Sequence, residues 1–234
     1  MVNMERRRKA PARRLVVPGE MLDDGGAKAG EYAYAVDGKV YSAVLGMSNP
    51  SPRDIGVIPL AGKYMPKAGD MVIGLIIDIG SSNWTVEIKA PYPVSMHVSE
   101  VPWKVEFGDT SRYLNVGDVV MLKVLAVDEN KKIQVTMNDA GLRKLEGGRV
   151  IELGHSKVSR VIGRGGSMIQ MLKNMTDCRV FIGENGIIWV DGDDEKMDVA
   201  VGAIELIGEC SNARNLTEIV KEYIEKEIPQ EGGQ

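Results

Sequence analysis

A chain of 234 residues, 44% apolar and 26% charged, has the composition of a soluble globular protein, and its length suits two or three modules rather than one domain. No apolar run approaches the roughly 20 residues that span a bilayer, which excludes an integral membrane protein. The net charge of -4 argues against wholesale electrostatic binding to nucleic acid, and two cysteines, Cys178 and Cys210, cannot make a disulfide framework or a cysteine-rich zinc site.

Residues 1–14 carry six Arg or Lys against Glu5, which leaves the remaining 220 residues with 23 basic and 32 acidic side chains. The start is expected to be a disordered, solvated arm or, alternatively, a contact for a polyanion. It leads only into "LVVPG", too short for a secretory signal, so the expected location is cytoplasmic.

Residues 15–63 read as a β segment of short strands divided by turn residues. In "EYAYAVDGKVYSAVLG" the pair Asp37-Gly38 predicts a tight hairpin turn with positive φ at both central residues. Tyr32, Tyr34 and Val36 alternate as a half-buried strand requires. So small a segment has little core of its own and is expected to pack on a neighbour or a partner chain.

Residues 64–140 continue as strands: "GDMVIGLIIDIG", "NWTVEIK" and "GDVVMLKVLAVDENKKIQVTMN", the last pair turned by "DENKK". About five strands in so short a stretch predict a small closed barrel. Between and within them lie Trp84, Tyr92, His97, Trp103, Phe107 and Tyr113, which either fill the barrel or expose a stacking platform for bases.

From residue 147 to 234 the texture changes. "RVIEL" predicts a strand, Val158, Val161 and Ile162 have helical spacing, and Met168, Met171, Leu172 and Met175 repeat it beyond a glycine turn. "CRVFIGENGIIWVDG" predicts a hairpin turned at Asn185-Gly186, and an acid-led helix follows. A final amphipathic helix starts with Thr217 as its cap and ends before Pro229.

The turn "VIGRGGSM" is neither kind of nucleotide loop. A phosphate loop needs Lys and then Ser or Thr after its last glycine, but Gly166 is followed by Ser167 and Met168; the dinucleotide fingerprint places Met168 where its third glycine belongs. Gly163, Arg164, Gly165 and Gly166 between two helices fit instead the GXXG loop of a KH domain, which clamps about four nucleotides of a single strand. Glycines let the sugar-phosphate backbone approach the main chain, and Lys157, Arg160, Arg164 and Lys173 share a stretch free of acids before Asp177. The alternative is a glycine linkage beside a merely solvated basic face. His97 and His155, the only histidines, lie in separate modules, so neither a catalytic constellation nor a metal site is expected, and no cofactor.

The middle module resembles the S1 RNA-binding domain, an OB-fold barrel, through "GDMVIGLIIDIG", "SMHVSEV" and "VGDVVMLKVLAVDENKKIQVTM". That resemblance puts Trp84 where the family commonly places an aromatic on the RNA face, with His97, Lys89 and Arg112 as companion contacts; "KAPYPV" replaces the family's second aromatic. With "VVPGEML", "DGKVYSAVLG", "VIPLAGKYMPKAGD", "SRYLNVGD" and "VIGRGGSMIQML", the chain from Leu15 to Ile228 resembles the archaeal exosome's S1/KH RNA-binding cap subunits of the Rrp4 type. The fold implied is multidomain, mainly β and then α+β. It has an N-terminal β segment, an S1-type five-stranded OB-fold barrel, and a type I KH domain (βααββα) with an extra C-terminal helix. The resemblance implies a non-catalytic subunit that docks through its first segment on a hexameric RNase PH-like ring, beside other cap subunits, and guides single-stranded RNA to a phosphorolytic 3′-to-5′ exoribonuclease. A free-standing S1/KH single-strand RNA-binding or chaperone protein is the alternative.

Overall fold

The computed structural model describes residues 13–60, 62–128, 132–210 and 215–228. The chain divides into two compact units between Gly62 and Lys63. No helix among the described residues is long and apolar enough to cross a membrane.

The first unit holds β1 (Leu15–Val16), β2 (Met21–Asp23), β3 (Lys28–Ala29), β4 (Ala33–Val36), β5 (Lys39–Ser42), β6 (Gly46–Pro50) and β7 (Asp54–Pro59). They form a four-stranded sheet, β1-β6-β7-β3, and a three-stranded sheet, β2-β5-β4. The β4–β5 hairpin turns at Asp37 (φ 50°) and Gly38 (φ 77°), as the Asp-Gly pair predicts. The half-buried alternation does not extend into β4, where Tyr34 and Val36 are exposed and Tyr32 has left the strand at φ 55°. Of the expected disordered arm, residues 1–12 lie outside the described residues. Arg13 and Arg14 belong to the fold: Arg13 Nη2 donates to Asn49 Oδ1 (3.0 Å), Arg14 Nη2 donates to the Met21 carbonyl (2.7 Å), and Arg14 pairs with Glu20.

The second unit opens with β8 (Met71–Ile79), β9 (Asn83–Glu87), β10 (Val94–His97), β11 (Val119–Val127), β12 (Ile133–Thr136) and β13 (Lys144–Leu145). The sequence β8-β9-β10-β12-β11 closes on itself, because β11 pairs with both β12 and β8; β10–β12 is the parallel pairing. This is a five-stranded closed barrel. Along β9 burial alternates strictly, with Trp84 and Val86 inward, and Ile76, Met96, Leu122 and Val135 meet them in the interior. The turn expected at "DENKK" includes residues 129–131, outside the described residues, and is closed by Asp128 N donating to the Lys132 carbonyl (3.0 Å).

The second unit continues with β14 (Arg149–Glu152), α1 (His155–Ile162), α2 (Ser167–Thr176), β15 (Arg179–Ile182), β16 (Ile187–Asp191), α3 (Asp194–Glu209) and α4 (Leu216–Glu227). This is the KH order, with an antiparallel sheet β14-β16-β15. Helices cover one face of that sheet: Val161, Leu172, Ala200 and Ile204 pack on Val180, Ile188 and Val190. Asp193 stands at the cap position of α3 without a side-chain hydrogen bond, and Asp194 and Glu195 in its first turn complement the helix dipole. The expected cap of α4 is displaced: Asn215 stands at the cap position without a side-chain hydrogen bond, and Thr217 lies inside the first turn. Gly202 of α3 leaves the room Tyr223 of α4 occupies, since a Cβ there would overlap its hydroxyl.

The other face of the KH sheet is joined to the barrel. Ile187 and Trp189 pack with Ile73 and Leu145 in a small buried cluster, and Trp189 Nε1 donates to the Gly147 carbonyl (2.9 Å). Asn185, read from sequence as a turn residue, is buried; Nδ2 donates to the carbonyls of Ile73 (2.7 Å) and Ile88 (3.0 Å), and Oδ1 accepts from Ile73 N (3.4 Å). Only Gly186 of this turn pair has positive φ, so the turn differs from the one at Asp37-Gly38. The barrel and the KH module are thereby latched by backbone groups of Ile73 in β8 and of Ile88 just past β9.

Beside the latch, Asp70 Oδ2 accepts from Tyr64 Oη (2.5 Å) and from Lys67 N (3.0 Å), while Glu184 N donates to the Met71 carbonyl (2.8 Å). Burial, followed by the neighbouring Asp70 carboxyl, pushes the Glu184 carboxyl above the ordinary range against the opposing pull of Lys67. A raised carboxyl pKa in the folded state means the fold binds the proton more tightly than the unfolded chain does. This contribution is fully present below the ordinary Glu value of about 4.3 and is lost as pH rises through the folded value. Glu184→Gln should therefore raise the melting temperature by a few degrees near neutral pH, with the gain over wild type vanishing below about pH 4. A difference independent of pH would remove the carboxyl pair as its cause.

Candidate nucleic-acid interface

The glycine turn projects from the end of α1. Gly163 (φ 74°, ψ 177°), Gly165 (φ 60°) and Gly166 (φ 83°) all have positive φ, and the 3-10 turn Arg164–Gly166 leads directly into α2. Each of these conformations favours glycine, and Gly163 has a second reason: a Cβ there would stand 2.7 Å from Met168 Cβ. At Gly165 a Cβ would meet nothing within 4 Å, so the main chain is open to an approaching strand. Arg164 is exposed, no side chain caps the start of α2, and Arg160 lies exposed in the last turn of α1. Among the described residues neither arginine makes an ion pair. Lys157 is half-buried one turn earlier on α1, its stem near Gly208.

Lys173 does not join the loop. It occupies the last turn of α2, with Nζ 5.6 Å from the centroid of the Phe181 ring. Of the acids of the module, Asp198 pairs with Arg149 and Asp177 lies 3.3 Å from Lys196, and neither pairs with a cation of the loop. The cations of the loop are thus left without a carboxylate.

On the barrel, the expected RNA face is rearranged. Trp84 is 0% exposed and its Nε1 donates to the Leu114 carbonyl (3.2 Å), so it is a core residue and offers no stacking surface. The inward phase of β9 decides this: with Thr85 outward, Trp84 must point in. Lys89 lies past the far end of β9 and pairs with Glu152 of the KH module (2.8 Å), which holds its ammonium above the ordinary value. That places it at the junction of the modules rather than on the rim.

His97 and Arg112 do come together, around the β8–β9 turn. Val98 N donates to the Ser82 carbonyl (3.0 Å), Gly108 N to the Ser81 carbonyl (2.9 Å), and Thr110 Oγ1 to the Gly80 carbonyl (2.7 Å), which ties the ends of three segments to one turn. His97 is exposed at the end of β10, where its Nδ1 accepts from Ser99 N (3.2 Å). Arg112 is exposed and pairs with Asp109 (2.9 Å), a surface pair weak enough for a phosphate to compete with. The ring this rim presents is Phe107, 84% exposed. Its signal in the sequence is its place before Gly108-Asp109, in a turn rather than a strand. Trp103 and Tyr113 stack on each other at 5.5 Å instead.

The comparisons with known proteins agree along most of the chain. Three family models match: the Exosome RNA binding protein RRP4 N-terminal domain over residues 13–61, the RRP4 S1 domain over 63–108, and the KH domain over 149–206. The chain is 42% identical over 92% of its length to a protein of Methanosarcina acetivorans named Exosome complex component Rrp4, of which it covers 83%. A protein of the same name from Thermoplasma volcanium is 39% identical over 92% of this chain and 91% of its own length. A crystal structure described as an exosome complex RNA-binding protein superposes with a TM-score of 0.66 at 35% identity, covering 71% of this chain and 97% of that one.

Proposed function

Because the chain belongs to the Rrp4 family of exosome complex components, we propose that it is an RNA-binding cap. It holds single-stranded RNA and guides its 3′ end into a phosphorolytic 3′-to-5′ exoribonuclease ring in the cytoplasm, and does no chemistry itself. The observation that carries this reading is the open glycine loop with Arg160 and Arg164 uncompensated beside it, since a phosphodiester needs both a bare main chain and an unspent cation. The rim of His97, Phe107 and Arg112 supplies what the loop lacks, a ring on which a base can stack. The non-catalytic part rests on the separation of the two histidines, one at the end of β10 and one at the start of α1.

Docking on the ring is assigned to the first unit. Across β1, β6 and β7 the residues Leu15, Met47 and Ile58 stand in register on one face of the sheet, and Leu15 and Ile58 are exposed. An uncovered apolar row on a unit with so small a core suits a protein interface rather than a nucleic acid, which would call for cations there. The test mixes the purified hexameric ring with the full chain or with residues 63–234. The full chain should co-elute with the ring and speed its degradation of single-stranded RNA, through a raised local substrate concentration. The fragment should bind RNA and remain unattached. Ring binding by the fragment would overturn the docking assignment, and RNA degradation by the pure chain would overturn the non-catalytic one.

A further inference from the structure

We propose that the seam between the barrel and the KH module is a separate phosphate contact for single-stranded RNA, formed by Arg143 and Lys173 over the ring of Phe181. It rests on the RNA-binding reading and adds a contact outside both the glycine loop and the barrel rim.

Arg143 directly precedes β13 of the barrel, Lys173 is in the last turn of α2, and Phe181 is in β15 of the KH sheet. The Arg143 guanidinium carbon lies 5.1 Å from the ring centroid and Lys173 Nζ lies 5.6 Å from it. The ring is fixed from behind: it packs against the barrel core and the junction cluster, and sits 5.6 Å from the Trp189 ring. Two cations from two modules therefore lie within 5.6 Å of the centroid of one immobile ring.

The sequence neighbours of these residues behave differently. Lys144, next to Arg143, pairs with Asp118 (2.8 Å), and Arg179, on the strand of Phe181, pairs with Asp191. Those charges are cancelled by carboxylates. Among the described residues Arg143 and Lys173 make no ion pair, and an aromatic face attracts a cation without neutralising it. A purely structural cation–π contact would need one cation; a second of the same sign on the same ring adds repulsion. An anion bound to both relieves that repulsion, and the ring has already restricted two long side chains that a phosphate would otherwise have to order. Because the seam joins two modules that each carry RNA-binding features, the anion it fits is the phosphodiester of a strand running from one to the other.

The experiment measures binding of the full chain to a fluorescent single-stranded oligouridylate at several salt concentrations. For single strands each phosphate contact contributes about 0.7 to the slope of log affinity against log salt, so the double variant Arg143→Gln, Lys173→Gln, which removes the one phosphate contact the two cations share, should lower that slope by about 0.7. Arg164→Gln, in the glycine loop, serves as the comparison and should lower it by about 0.7. If the double variant keeps the wild-type slope while Arg164→Gln lowers it, the seam is structural and the RNA-binding reading stands. A lowered melting temperature with an unchanged slope also overturns the seam. Wild-type protein that binds no oligouridylate overturns the reading and the seam together.

Discussion

Trp84→Ala is expected to lose most of the stability of the barrel while Phe107→Ala loses none. Removing a fully buried tryptophan costs about 3–5 kcal/mol, and the Leu114 carbonyl that Nε1 satisfies is stranded as well. In a unit of this size that lowers the melting temperature by about 10 °C or more. Phe107, largely in solvent, makes little such contribution. One stacked base contributes about 1–3 kcal/mol, so Phe107→Ala should instead weaken single-stranded RNA binding about 5- to 150-fold at an unchanged melting temperature. Calorimetry and RNA titration on both variants check the pair. Should Trp84→Ala melt like wild type yet bind RNA poorly, the assignment of the two rings would have to be exchanged.

Asn185→Leu should separate the barrel from the KH module. The leucine side chain is of similar size and its apolar surface suits a buried site, but the carbonyls of Ile73 and Ile88 lose the Asn185 amide as donor. Each buried group left unsatisfied costs about 1–3 kcal/mol, which gives a destabilisation of about 2–6 kcal/mol concentrated at the junction. Unfolding in denaturant, expected as a single transition in wild type, should then split into two, with protease cleavage appearing near residues 139–148 before either module unfolds. A single transition at the wild-type midpoint would mean that the apolar cluster around Trp189 alone holds the modules together.

Local patterns carried much of the fold class. Asp37-Gly38 dictated its hairpin because positive φ at both positions is a property of the dipeptide. The spacing of Val158 to Met175 on either side of three glycines set the two helices and the exposed loop, since helical periodicity and glycine conformations are local quantities. Five strands in so short a segment required a barrel, because no open sheet of that size covers its own apolar face.

The members of the site were less legible, because burial depends on the phase of a strand within a closed barrel. Trp84 and Thr85 are one residue apart, and strand closure alone decides which of them faces inward. Lys89 and Lys173 were expected as contacts on the S1 face and at the glycine loop, yet the fold carries them to Glu152 and Phe181. Asn185 shows the same division within one residue. Its sequence context specified a turn, a matter of backbone torsion, whereas its role as the latch depends on the open backbone groups of Ile73 and Ile88, more than ninety residues away in the chain. Torsional preference and periodicity were written in neighbouring residues; which side chain met solvent, carboxylate or carbonyl was decided only when distant segments packed.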